Sequence, residues 1–145
     1  MDTKYDYTSL IGYKIIKGEV LIKRKMLSTF MELGYDITFE QWTVLNVLYV
    51  EPGLIQSEIA EKTYKDKTNV TRILDVLCKN GYAVRESHEK DRRSSCIYLT
   101  DMGRKMFDEL IPAVEAINNQ FKTALTDEEI QQFNKILEKI CSNAE

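Results

Sequence analysis

The stretch from Asp66 to Tyr82, DKTNVTRILDVLCKNGY, constrains the fold more than any other part of the chain. Val70, Ile73, Leu74, Leu77 and Cys78 recur at i, i+3, i+4, i+7 and i+8, the spacing of one face of an α-helix. Thr68, Asn69, Thr71, Arg72, Asp75 and Lys79 fall on the other side. Asp66 can cap the helix and suits its positive end. Gly81 stands where a left-handed residue would stop it. The polar face is short-armed and rich in hydrogen-bonding groups, with one long bidentate donor, Arg72. Such a face suits base edges in a DNA major groove. On an isolated helix it would more readily be an ordinary solvated surface, so the neighbouring sequence decides.

Upstream lies GLIQSEIAEKTYKDK. Gly53 ends one element, and Gln56 or Ser57 can cap the next through a side-chain oxygen. Residues 57–62 then form a short helix with Ile59 and Ala60 inward, and Tyr64 and Lys65 make a tight connection. Two helices joined by so short a turn are a helix-turn-helix, whose second helix enters the groove. Downstream, YAVRES and CIYLT are strand candidates on either side of the polar tip HEKDRRSS. A hairpin with a cationic tip behind such a helix describes a winged helix. Arg92 and Arg93 suit a minor groove or phosphates, with Asp91 as an orienting ion partner. Taken alone, the tip reads equally well as a solvated run of mixed charge.

The run from Gly53 to Met106 resembles the MarR family of bacterial winged-helix transcription regulators. The residues that carry the resemblance are QSEIA, DKTNVTRILDVL, KNGY followed by Arg85, DRRS at the wing and IYLTDMG leading into a helix. ITFEQWTVLNVL, from Ile37 to Leu48, resembles the helix before the helix-turn-helix. The expected fold class is mainly α with a small β-hairpin wing. The winged helix-turn-helix spans 37–100, with the helix-turn-helix at 55–78 and the wing at 82–99. Residues 1–34 and 101–145 are expected to be dimerisation helices.

Net charge is −3, and its distribution matters more than its sign. Residues 62–105 hold 11 Lys and Arg against 6 Asp and Glu, so the acidic balance lies elsewhere. The basic region coincides with the polar-faced helix and the wing. At 145 residues, with 43% hydrophobic and 30% charged residues, the composition is that of one globular domain. No apolar run approaches the roughly 18 residues a membrane helix needs. The acidic, polar start is not that of a signal peptide, which leads to a cytoplasmic expectation. Three cysteines, Cys78, Cys96 and Cys141, show no paired spacing, against a disulfide framework or zinc site. Cys78 and Cys96 read as small buried hydrophobes, which leaves Cys141 as the one to test for reactivity. Some MarR relatives sense oxidants through a cysteine in the first helix, and this chain has none there.

Four further helices follow from pattern. Thr38 with Gln41 forms a capping box that starts a helix through Val50, with Trp42, Leu45, Leu48 and Tyr49 inward. A long apolar helix is expected over 8–33. Thr100 and Asp101 cap a helix to about Ala124, kinked at Pro112. A second capping box at Thr126 starts the last helix. These flanking helices carry more apolar surface than a small winged helix can cover, which predicts a two-fold homodimer.

The functional expectation is a homodimeric, sequence-specific DNA-binding regulator of repressor type on a pseudo-palindromic site. Thr68, Asn69, Thr71 and Arg72 are assigned to base edges or nearby phosphates. Ser57 at a helix start is assigned to a phosphate, and Lys65, Lys67 and Lys79 to backbone charge. Arg92 and Arg93 are assigned to the minor groove. The resemblance also implies a small aromatic or anionic effector in a crevice near which Tyr13, Lys17, Tyr35, Trp42 and Tyr49 could lie, although these residues read more readily as core or dimer contacts. The alternative is a winged-helix protein-interaction module without DNA binding. An enzyme is third: His88 is the only histidine, and no phosphate loop, nucleophile elbow or metal spacing occurs, so no cofactor is implied.

Overall fold

The computed structural model describes residues 4–87 and 94–145. The chain divides into two units, one up to Ile111 and the other from Pro112 to Glu145. The first unit opens with a short 3₁₀ turn, Tyr7–Ser9, and helix α1, Ile11–Glu32. The expected start at Thr8 is displaced because Asp6 accepts the Thr8 N–H at 3.0 Å and caps the 3₁₀ turn instead. Helix α2, Phe39–Val50, begins at the predicted box, with Thr38 and Gln41 exchanging 3.0 Å hydrogen bonds. Trp42, Val44, Leu45 and Leu48 bury its inner face.

A strand not expected from the sequence follows: β1, Leu54–Ile55. At two residues it is too short for any period to show. Helix α3, Gln56–Thr63, and helix α4, Lys67–Lys79, form the helix-turn-helix. The cap of α3 is neither Gln56 nor Ser57. Ile55 occupies that position, and the Glu58 carboxylate accepts its N–H at 2.9 Å, closing the turn from within the helix. Tyr64 ends α3 in the left-handed region at φ 55°. Asp66 caps α4 as predicted, accepting the Asn69 N–H at 2.8 Å. Gly81, at φ 81°, turns the chain beyond α4.

Strands β2, Ala83–Ser87, and β3, Ser95–Leu99, pair antiparallel, with Arg85 opposite Ile97. β3 also pairs with β1, giving the order β1-β3-β2. The small sheet thereby ties the wing strands to the segment just before the helix-turn-helix. The core holds Phe30 of α1, Leu45 and Leu48 of α2, Ile59 of α3, Leu74 and Leu77 of α4, and Ile97 of β3, all fully buried. Burial of each such side chain contributes roughly 1.5–3 kcal/mol.

Helix α5, Asp101–Lys122, starts at Thr100, whose hydroxyl accepts the Gly103 N–H at 3.0 Å. Pro112 lies inside α5, at the boundary between the units. The second unit comprises the rest of α5 and helix α6, Asp127–Ala144. Its box is the expected one, with Thr126 and Glu129 bonded at 3.1 and 2.8 Å. Among the described residues no helix is long and apolar enough to cross a membrane.

One contact makes a direct stability prediction. A Cβ at Gly103 would sit 2.0 Å from the Tyr82 carbonyl oxygen, and backbone cannot swing aside as a side chain can. Gly103→Ala should therefore cost about 3 kcal/mol or more, measured as a lowered midpoint in urea unfolding.

Candidate nucleic-acid interface

Helix α4 presents two faces of unequal character. Val70, Ile73, Leu74 and Leu77 are buried, whereas Lys67, Thr68, Arg72, Asp75 and Lys79 are exposed. Burial of the apolar face fixes which side is left outward. Thr68 and Arg72 stand one turn apart on that side, with Lys67 at the helix start and Lys79 in its last turn. The Lys67 ammonium adds positive charge where the helix dipole is already positive.

The edge of α4 nearer the sheet is held by two contacts. Arg85 of β2 donates to Asp75 at 2.7 Å, and its other terminal nitrogen lies 3.8 Å from the Cys78 sulfur. Both partners are partly exposed, so the ion pair contributes less than about 1 kcal/mol to stability. Its geometric effect is larger, because it ties the wing strand to α4. At the other end of the same edge, the Gln56 amide donates to Lys67 and Thr71.

Of the other expected contact residues, Ser57 is exposed near the start of α3, whereas Asn69, Thr71 and Lys65 are half-buried. Ser57, Lys67, Arg85 and Ser95 line a recess of about 170 Å³ between α3, α4 and the sheet. Asp91, Arg92 and Arg93 lie outside the described residues, as does His88. Pattern reading passed over three residues at this interface. Gln56 and Arg85 act across elements, which periodicity within one helix cannot show. Tyr64 is 95% exposed in the turn between α3 and α4.

The expected crevice residues do not assemble as one group. Trp42 is buried, stacked at 4.5 Å on Phe107 of α5 and 5.2 Å from Phe30. Tyr49 stacks on the same Phe107 at 4.6 Å, and its hydroxyl donates to Asp108 at 2.7 Å. The Tyr35 hydroxyl donates to Glu109. Trp42 thus belongs to the core, and the tyrosines join α2 and the segment before it to α5. Tyr13 instead meets Tyr7, with ring centroids 5.2 Å apart, and Lys17 is exposed on α1. The cysteines also differ from expectation. Cys78 and Cys96 are half-buried rather than buried, and Cys141 is exposed. Partial burial within α4 raises the Cys78 thiol pKa above its ordinary value, and the nearby Arg85 charge opposes that shift.

The profile of the MarR family matches residues 35–94, which span the helix-turn-helix and most of the wing. The HTH-type transcriptional regulator PapX of Escherichia coli is 30% identical over 128 residues, covering 86% of this chain and 78% of PapX. The chain belongs to the MarR family. MarR proteins are transcriptional regulators rather than enzymes. Two solved structures extend the likeness to the whole fold. The transcriptional repressor CouR, bound to a 23-mer DNA duplex, superposes with a TM-score of 0.81 at 26% identity, covering 92% of this chain and 94% of CouR. The Staphylococcus aureus MepR–DNA complex gives 0.86 at 25% identity, covering 92% of this chain and 98% of MepR. The architecture is the mainly helical, winged helix-turn-helix fold of MarR proteins.

The tyrosine contacts carry a pH signature. The hydrogen bond to Glu109 pushes the Tyr35 phenol pKa up to about 12, from 10.0. A phenol raised on folding contributes stability that is whole below pH 10 and is lost as pH climbs towards 12. Ultraviolet titration of tyrosinate should show a late phase near pH 12 that disappears in Tyr35→Phe.

Proposed function

We propose that this chain is a homodimeric, sequence-specific DNA-binding transcriptional regulator that represses by occupying a pseudo-palindromic site. The observation that carries this reading is α4: its apolar face is buried, and Thr68 and Arg72 stand exposed on the opposite side. The DNA-bound CouR and MepR structures support a duplex as the partner, and the name given to CouR supports repression as the direction.

In this reading Thr68, Asn69 and Arg72 meet base edges or adjacent phosphates. Thr71 stands beside them, with its hydroxyl already engaged inside the protein. Ser57 meets a phosphate, and Lys65, Lys67 and Lys79 supply charge along the backbone. Arg92 and Arg93, oriented by Asp91, reach the minor groove from the wing. Residues 37–100 form the reading head, and residues 1–34 and 101–145 the dimerisation helices. Exposed apolar residues support that division. Ile11 and Ile16 are each 59% exposed on α1, as are Phe133 at 60% and Ile136 at 57% on α6. A two-fold pairing covers equal patches on both copies and sets two reading helices about 34–36 Å apart on one face of the duplex. Such a regulator works in the cytoplasm.

A small aromatic or anionic effector is part of the proposal. Tyr35 and Tyr49 already present phenols to carboxylates of α5, and Arg104 lies 5.2 Å from the Tyr49 ring. A phenolic acid has the groups to compete for these contacts, with Lys17 and Tyr13 on α1 and the Trp42 core behind Tyr49 as further points of influence. A thermal-shift series with hydroxybenzoates should show a raised melting temperature for at least one compound. A flat series would remove the effector from the account.

Selection of duplexes from a random pool should enrich an inverted repeat. Failure to enrich any duplex would favour a protein-binding winged helix instead. On the enriched duplex, Arg72→Ala should cost about 1–3 kcal/mol and relax preference at one base. Lys67→Ala should weaken all duplexes alike and lower the logarithmic salt slope by roughly one. Gel-shift titrations at several salt concentrations measure both.

A further inference from the structure

The contact between Gln56 and α4 has a role of its own. Gln56 is the first residue of α3 and is half-buried. Its side-chain nitrogen donates to the Lys67 carbonyl at 3.2 Å and to the Thr71 hydroxyl oxygen. The Thr71 hydroxyl donates its hydrogen to the same Lys67 carbonyl at 2.9 Å. Three groups thus close a small ring that joins the start of one helix to the first turns of the next. A hydroxyl has one hydrogen to give. Thr71 commits it inside the protein, so it cannot simultaneously donate it to a base.

Lys67 and Thr71 each precede by one residue a member of the exposed pair Thr68 and Arg72. A grip on the first two therefore fixes the bearing of the second two about the helix axis. The buried face of α4 does this less sharply, because apolar contacts carry no direction, whereas hydrogen bonds weaken steeply off axis. With side chains included, a helix is 10–12 Å across, so a rotation of about 20° moves the outer groups by ~2 Å. Recognition groups must be held to within about 0.5 Å and 10–20°. Attraction to phosphates is less demanding, since it follows charge rather than bearing.

We propose that Gln56 is a positioning residue for sequence reading: by gripping Lys67 and Thr71 it sets the rotation of α4 and thereby aims Thr68 and Arg72. This rests on the DNA-reading function proposed above. It assigns to α3 a part in specificity, and to Thr71 an internal role in place of a base contact through its hydroxyl.

The test compares the full chain with Gln56→Met, Thr71→Val and the double variant, each chosen to keep side-chain bulk while removing the bond. Affinity is titrated on a duplex enriched by the wild-type chain and on an unrelated duplex of equal length, over a range of salt. Each single variant should lower the ratio of the two affinities about tenfold, and the double variant should lower it no further. Affinity for the unrelated duplex and the salt slope should hold. Thr71→Ser, which keeps the oxygen, should recover most of the ratio. Undiminished discrimination in Gln56→Met, losses that multiply in the double variant, or equal weakening on both duplexes would each overturn the positioning role. A melting curve for each variant separates equal weakening through unfolding from the expected result. A wild-type chain that enriches no duplex overturns the DNA-reading function itself, which is a separate outcome from a wild type that discriminates and a variant that does so equally well.

Discussion

Burial of Val70, Leu74 and Leu77 is the constraint from which the rest of the structure follows. These side chains sit fully inside, against α2, α3 and the sheet, so α4 has one way to face. Once that face is committed, Thr68 and Arg72 have nowhere to point but outward. The local sequence cooperates at both ends, through the Asp66 cap and the Gly81 turn. The turn before α4 is less economical. Tyr64 adopts a left-handed conformation that costs a residue with a side chain roughly 1–2 kcal/mol.

A second set of contacts links α2 and the segment before it to α5. Phe107 takes the Trp42 and Tyr49 rings on its face, while Asp108 and Glu109 accept the Tyr49 and Tyr35 hydroxyls. Stacking brings large buried area, and the phenol–carboxylate bonds add direction to it. These contacts all converge on one turn of α5, at residues 107–109.

How much of this could be read from the chain depended on whether the interaction was local. The apolar period of α4, the Asp66 cap, and the boxes at Thr38 and Thr126 are decided within one or two helical turns, and each is present as expected. β1 was missed because two residues carry no period. The cap of α3 was misplaced because Gln56, a plausible capping residue, is drawn across to Thr71, while Glu58 closes the turn. Of the five residues that the resemblance sets near a crevice, Trp42 and Tyr49 stack on Phe107 of α5, distant in sequence and so beyond any local period, whereas Tyr13 meets Tyr7 within the same stretch of chain. The same limit hid Arg85 and Gln56, which act on α4 from other elements.

The central claim is that the exposed side of α4 is the surface that meets the duplex. Backbone amide chemical shifts of the isotope-labelled chain, recorded as an enriched duplex is added, test it most directly. The account predicts that the largest changes fall on residues 66–72, with a second group at the wing. Largest changes on α2 or α6, with the start of α4 unmoved, would contradict it.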